Sequence, residues 1–263
     1  MINEFSPELM CEASLIAKNR PEANSKYDQT YMKVECMLKQ IYNIKNYIKN
    51  KKIVFVGDGD CTSLFILLMI KYQLIESPKS IYVIDFDERI LNYILTTSNQ
   101  YKVGLNVYTQ KHNVIYPMIG DIRGCFDFFY INPPYGSQNK GLSIIAWIHR
   151  CMDLCNMMSQ GCIIAPYDKE YPWTIDVMNN VQKFLLNNGF MILDLKSEAH
   201  TYHCKRSPGL YSSSMIVLRI DKKQSEYTNI QLPNSIIENL YGVPIDIPLY
   251  IKDINTEFGE EIF

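Results

Sequence analysis

The sequence has 263 residues, enough for one large α/β domain with a short appendage and too few for two full domains. Apolar residues make up 47% and charged residues 21%, which excludes a disordered chain. The formal net charge of -2 offers no global positive field for a polyanion, so duplex nucleic acid is not favoured as a partner by charge. None of the eight cysteines forms a CxxC pair, Met1 to Arg20 lacks a continuous apolar h-region, and no apolar run reaches the roughly 18 residues that a membrane span needs. The expectation is a cytoplasmic protein in a reducing setting, with no membrane segment and no bound metal.

In chain order, residues 1 to 30 read as a loop-rich lead-in. Val34, Met37, Leu38, Ile41, Ile44 and Ile48 recur at helical spacing, and Lys49 to Lys52 closes that helix with positive charge at its carboxyl end. Ile53 to Val56 predicts a strand, Thr62 to Tyr72 a helix, Ile81 to Ile84 a strand and Asp87 to Asn99 a helix. Leu105 to Tyr108 predicts a third strand and Phe128 to Ile131 a fourth. A helix over Leu142 to Met158, a strand over Cys162 to Ala165 and a helix over Thr174 to Asn188 follow. Phe190 to Leu195 and Ser214 to Ile220 are two final strands with no helix between them. Alternation implies parallel strands with right-handed crossovers, and the last pair implies a hairpin that leaves one strand antiparallel. The organisation expected is a lead-in and helix over 1–50, an α/β catalytic domain over 51–220 and a tail over 221–263. That tail, rich in proline and with an acidic end, reads as surface-wrapping or as the contact of a homodimer.

The turn after the first strand, Gly57-Asp58-Gly59-Asp60-Cys61-Thr62-Ser63, runs from buried strand to helix. Ligands of open parallel sheets bind outside the carboxyl ends of the strands, and glycine lets the backbone approach them. The third glycine of the dinucleotide fingerprint is absent, and two aspartates stand where a pyrophosphate would be repelled. Asp58 and Asp60 suit a cationic ligand, an amino group or a sulfonium. The plainer alternative is a strand-to-helix turn with Asp60 or Thr62 capping the helix. The second strand ends in Asp85-Phe86-Asp87, where Asp85 has the offset of an acid that holds ribose hydroxyls and Asp87 can cap the next helix. Gly120-Asp121-Ile122-Arg123, after the third strand, offers an acid for an adenine amino group.

The most specific feature is Asn132-Pro133-Pro134-Tyr135 after the fourth strand. Two prolines freeze the backbone at the sheet's carboxyl edge. The Asn132 amide oxygen and a proline carbonyl can together accept both protons of an amino group, which aims the nitrogen lone pair at an electrophile, and Tyr135 can enclose the substrate. Other polar groups read as less telling. His149 is expected to be a satisfied, partly buried histidine, and Trp147, Cys151 and Leu154 a core stripe. His200-Thr201-Tyr202-His203 with Cys204 reads as an exposed loop near the pocket, and Gln138 to Gly141 as a mobile lid.

The strand inventory is that of a class I methyltransferase-like, Rossmann-like sheet of seven strands with helices on both faces. Asn132 to Tyr135 resembles the motif of amine-methylating enzymes of that class, which include N(6)-adenine and protein-glutamine methyltransferases. A longer resemblance covers residues 27 to 165. Tyr27-Asp28-Gln29, Gly57 to Leu64, Ile84 to Arg89, Asp121 to Arg123, and Phe126-Asp127 leading to Pro133-Pro134-Tyr135 and Gly141-Leu142 come in the order and spacing of branched-chain polyamine synthases, the N(4)-bis(aminopropyl)spermidine synthases. The resemblance implies a transferase of polyamine biosynthesis that moves an aminopropyl group from decarboxylated S-adenosylmethionine to a small polyamine. That family carries three consecutive aspartates in the glycine turn, where this chain has Gly59 in the middle, and an aspartate where this chain has Asn132.

The implied catalytic set is Asp58, Asp60, Asn132, Pro133, Pro134 and Tyr135, with a carboxylate of the Asp58 and Asp60 pair taking the amine proton. The implied donor-binding set is Gly57, Asp58, Gly59, Asp85, Phe86, Asp121 and Ile122. Two other functions fit the same residues. One is an S-adenosylmethionine-dependent amine N-methyltransferase, which Gly59 and Asn132 suit. The other is a non-catalytic nucleoside-binding homologue.

Overall fold

The apolar runs pair into one seven-stranded sheet in the computed structural model, which describes residues 5–202, 211–221 and 223–241. The strands are β1 (Lys52–Val56), β2 (Ser80–Asp85), β3 (Asn106–Lys111), β4 (Phe126–Ile131), β5 (Cys155–Pro166), β6 (Phe190–Thr201) and β7 (Tyr211–Arg219). Their spatial order is β3-β2-β1-β4-β5-β7-β6, parallel except for β7, which runs antiparallel to both β5 and β6. The helices are α1 (Pro7–Asn19), α2 (Val34–Ile48), α3 (Thr62–Lys71), α4 (Glu88–Ser98), α5 (Leu142–Leu154), α6 (Pro172–Asn187) and the short α7 (Asn234–Ile237).

The central strands are apolar throughout because both faces are covered. Ile53 and Phe55 of β1 pack with α1 to α4 on one face, and Val54 and Val56 pack with α5, α6 and the segment around α7 on the other. The chain reverses direction across the sheet between β1 and β4, so the loops after these two strands splay apart and leave a crevice. Gly161 of β5 lies directly against the Phe129 ring. A Cβ there would fall 2.1 Å from the Phe129 ring.

Three expectations are corrected. The lead-in is not loop-rich, because Pro7–Asn19 is a helix. Ser6 accepts the Leu9 N–H at 3.2 Å, Pro7 opens the first turn, and Leu9, Ala13 and Ile16 are buried. The helix predicted to reach Met158 stops at Leu154. Arg219 takes the Met152 and Cys155 carbonyls at 2.6 and 2.7 Å, and the chain from Cys155 extends into β5. The region after β7 is not simply a surface wrap. Leu232, Ile236, Ile237, Leu240 and Tyr241 are buried against the α5 face. Residues 242–263, on which a subunit contact through the tail would rest, lie outside the described residues.

One buried side chain ties these outlying segments to the domain. Arg150 of α5 is wholly buried and donates to four backbone carbonyls: Val114 at 2.7 Å, Ile115 at 2.9 Å, Tyr227 at 2.6 Å and Ile230 at 3.2 Å. It thereby fixes the loop after β3 and the segment before α7. Arg150→Met would take the guanidinium donor from those four carbonyls and its charge from the nearby Asp153, whose carboxylate keeps the Thr228 hydroxyl. The expected loss is about 3 kcal/mol or more of folding stability, read as a lower urea midpoint at unchanged slope.

Candidate active site

The crevice at the reversal point holds a cavity of about 320 Å³, a volume suited to a small-molecule ligand. Its walls come from residues 27–31, the turn after β1, the ends of β2 and β3, the loop after β4, Trp147 of α5, Trp173 of α6, Tyr202 and Tyr241. The glycine turn and Asn132 to Tyr135 therefore face one ligand space.

The turn after β1 is built on backbone donors. Gly57 has φ of +75°, and a Cβ there would stand 3.2 Å from the Trp147 indole nitrogen, so the site needs glycine on both counts. Asp58 rather than Asp60 or Thr62 caps α3. Its two carboxylate oxygens accept the Thr62 N–H at 2.7 Å and the Ser63 N–H at 3.1 Å. Asp85, at the end of β2, accepts the Asp58 N–H at 2.9 Å and the Asp87 N–H at 2.9 Å, which stitches the two turns together. Asp87 caps α4 through the Arg89 N–H. Asp58 and Asp85 are both buried, and burial pushes Asp58 up to about 8 and Asp85 up to about 6 against the pull of these N–H donors.

Asp60 is held differently. One oxygen accepts the Met32 N–H at 2.7 Å and lies 3.9 Å from the Arg20 guanidinium, which also donates to the Asp60 carbonyl at 3.0 Å. The other oxygen accepts the Asn132 amide at 2.6 Å. An ionised carboxylate only accepts, so it forces the Asn132 nitrogen toward itself and turns the Asn132 oxygen the opposite way. The geometry supports an orienting role for Asp60. It gives less support to Asp60 as a proton acceptor, because both its oxygens are engaged.

Asn132, Pro133, Pro134 and Tyr135 all line the cavity. Tyr135 lines the cavity, and its hydroxyl donates to the Tyr202 hydroxyl at 2.5 Å. Among the lining residues, Asp28, Asp58, Asp60 and Asp85 supply carboxylates, and Tyr27, Tyr31, Phe86, Trp147, Trp173 and Tyr241 are among the aromatic rings. No lysine or arginine is among the described lining residues. Tyr27, Phe86 and Tyr241 form a ring cluster, with centroids 4.5 Å apart for Tyr27 and Phe86 and 5.6 Å for Tyr27 and Tyr241.

Asp121 and Ile122 do not reach the cavity. They sit in a 3-10 turn, Asp121 exposed and Ile122 packed against the core. The end of β3 and the loop after it bring His112 and Val114 to the wall instead. The predicted lid is pinned rather than loose. Asn139 is buried and donates to the Asn239 carbonyl at 2.7 Å. His149 is a satisfied buried histidine, 3.0 Å from the Ser225 hydroxyl. His200 is no loop residue, because it is buried near the end of β6; His203 and Cys204 lie outside the described residues. Among the described residues, no group of three His, Cys, Asp or Glu is placed to hold a metal ion, and no helix is long and apolar enough to cross a membrane. Tyr241 was hidden from sequence reading because nothing local marks it. The 27–31 wall had a signal only in the Tyr27-Asp28-Gln29 resemblance.

Comparison with known proteins places this geometry. The sequence profile of the branched-chain polyamine synthase A C-terminal domain matches residues 8–245. An N(4)-bis(aminopropyl)spermidine synthase of Thermus thermophilus is 27% identical over 205 residues, 77% of this chain and 56% of that protein. An uncharacterized protein of Methanocaldococcus jannaschii is 28% identical over 197 residues, 74% of this chain and 46% of that protein. The chain thus spans about half the length of these curated relatives. A crystal structure of a mutein of the Thermus thermophilus branched-chain polyamine synthase, in complex with N(4)-aminopropylspermidine and 5'-methylthioadenosine, superimposes with a TM-score of 0.70 at 19% identity. It covers 90% of this chain and 70% of that one, a likeness that shows the methyltransferase-like fold. With the profile running from α1 to the end of the described cavity wall, the chain belongs to the branched-chain polyamine synthase A C-terminal domain family.

Proposed function

We propose that this chain is an aminopropyltransferase acting on a polyamine, with decarboxylated S-adenosylmethionine as donor. The observation that carries the reading is the make-up of the cavity wall, which has four aspartate carboxyl groups, many aromatic rings and no lysine or arginine among the described lining residues. A sulfonium and the ammonium groups of a polyamine are drawn to such a wall by Coulomb attraction and by ring faces. The methionyl carboxylate of the ordinary methyl donor would instead be buried against like charge with no cation beside it, a cost of several kcal/mol. Family membership and the ligands of the Thermus thermophilus structure support the same donor and acceptor.

In the proposed step, a neutral amine nitrogen attacks the aminopropyl carbon bonded to sulfur. The N–C bond forms, the C–S bond breaks with its electron pair going to sulfur, and methylthioadenosine leaves as a neutral thioether. The Asn132 amide oxygen, aimed by Asp60 and set beside Pro133 in the wall, accepts the one N–H of the secondary amine and directs its lone pair, and that proton stays on the ammonium product. Asp85 and Phe86 line the donor end, where Asp85 has lone pairs left for ribose hydroxyls. The methyltransferase reading keeps one observation in its favour, the Asn132 to Tyr135 motif itself.

An assay with spermidine and decarboxylated donor should yield methylthioadenosine. Production of S-adenosylhomocysteine alone, from the ordinary donor with a nucleic acid or protein acceptor, would overturn the proposal in favour of methylation.

Asp60→Asn should lower turnover about 100-fold while donor affinity holds, because the Asn132 amide is no longer forced into one orientation. Raising the pH should not restore the rate. Recovery at high pH would return Asp60 to the role of proton acceptor.

The buried acids make a further prediction. Their folded values lie above the unfolded value of about 4, so between about pH 4 and pH 8 the folded protein binds more protons than the unfolded chain. Their contribution to stability therefore falls as pH rises through that window. A bound cation favours the ionised acids, so decarboxylated S-adenosylmethionine, whose sulfonium cannot titrate, should release protons on binding at pH 7. Calorimetry in two buffers of different ionisation enthalpy measures this, and equal heats in both would contradict it.

A further inference from the structure

Behind Tyr135 the cavity wall continues into a line of buried polar groups that the transfer step does not touch. The Tyr202 hydroxyl, which accepts from Tyr135, lies 3.1 Å from the Ser212 hydroxyl and 3.3 Å from the Asn132 amide oxygen. Ser212 lies 3.2 Å from His200 Nδ1, and His200 Nε2 lies 2.8 Å from the Gln40 amide oxygen. The Gln40 nitrogen is 3.0 Å from the Ser214 hydroxyl and 3.0 Å from the Cys162 sulfur. Gln40, His200, Ser212 and Tyr202 are all buried and come from α2, β6, β7 and the residue following β6. So long a polar run in the interior is costly unless every member is satisfied.

The direction of this line follows from donor and acceptor counting. The Gln40 nitrogen donates to Ser214 and Cys162, which leaves its oxygen to face His200. An amide oxygen only accepts, so His200 Nε2 carries the proton and Nδ1 carries the lone pair. Burial holds the ring neutral by pushing His200 down to about 4. Nδ1 then accepts from Ser212, Ser212 accepts from Tyr202, and Tyr202 accepts from Tyr135. With the Ser212 proton committed to His200, the Tyr202 hydroxyl meets two acceptors, Ser212 at 3.1 Å and the Asn132 oxygen at 3.3 Å, and the contact to Ser212 is the shorter.

We propose that His200 is a positioning residue: its Nδ1 acceptor aligns the hydroxyls of Ser212, Tyr202 and Tyr135 so that the Tyr135 oxygen and the Asn132 amide oxygen face the cavity as acceptors only. The value of that alignment rests on the amine-accepting role proposed for this wall. A secondary amine held through its N–H needs an acceptor at the wall, and a donor there would compete for its lone pair. With the proton on Nδ1 instead, the line would run backwards. Ser212 would donate to Tyr202, and the Tyr202 proton would occupy the Asn132 oxygen.

The test uses the full chain with 15N-labelled histidine and long-range proton–nitrogen correlation spectra between pH 6 and pH 8. The His200 signals are assigned by their loss in His200→Gln or their shift in Ser212→Ala. A neutral ring protonated on Nε2 is expected; a ring protonated on Nδ1, or on both nitrogens, overturns the proposal. Activity supplies a second arm. His200→Gln and Ser212→Ala should each lower kcat about 10-fold, with methylthioadenosine affinity unchanged. Neither should cost anything further in a Tyr202→Phe background, where the line is already cut. The same loss in that background would mean that His200 acts on the fold and not through Tyr202. If the wild-type protein transfers no aminopropyl group, the proposed function fails, while the tautomer still decides the polarity of the wall.

Discussion

The Asp60 carboxylate can accept hydrogen bonds but give none, and three separate parts of the chain converge on it. The Met32 N–H arrives from the segment before α2, the Arg20 guanidinium from the end of α1, and the Asn132 amide from the loop after β4. Each must present a donor, and that requirement sets the orientation of the wall. Arg20 is itself buried and stacks over the Tyr31 ring, with its carbon 3.7 Å from the ring centroid, so the charge pair also fixes the 27–31 wall. Met32 and Tyr202 form a β-bridge, which brings the end of β6 to the same junction. The ion pair stands on a poor dielectric footing and adds little to net stability by itself. Its effect is to make one arrangement of the surrounding groups much cheaper than any other.

The electrostatics of the free cavity are unfinished in the same sense. Asp58 and Asp85 are taken out of water and receive backbone N–H groups, but no cation, at the hydrogen bonds described. The start of α3 gives Asp58 a favourable dipole, yet burial still dominates for both acids. Under the proposed function, a cationic ligand would supply that counter-charge. Tyr135 and Tyr202 are held well away from ionisation, again by burial, so they act as hydroxyls throughout.

The parts of the site that were legible in the sequence are those written in contiguous residues. The glycine turn, Asp85 and Asn132 to Tyr135 each sit at a strand end that hydrophobic patterning locates, and the sheet rule then places them in one crevice. What failed to show was set by distant partners. Asp121 has an acid at a plausible offset, but the register of the loop after β3 is fixed by Arg150 on another helix, and that loop turns His112 inward instead. His200 looked like part of a polar loop because its four-residue neighbourhood is polar; its burial depends on Gln40, which is contributed by α2. Helix α1 had a readable start in Ser6-Pro7-Glu8, which the mixed polarity of the following residues obscured.

The ring contact between Tyr27 and Tyr241 joins segments near opposite ends of the described chain. Closing so long a loop is entropically slow, and it becomes favourable only once both faces of the sheet have been packed. The binding cavity is therefore among the last features to assemble. A partly folded chain with a complete sheet would still have no roof over the ligand. Bound ligand would then act as a reporter of the finished fold and, by mass action, as a clamp that draws the two ends together.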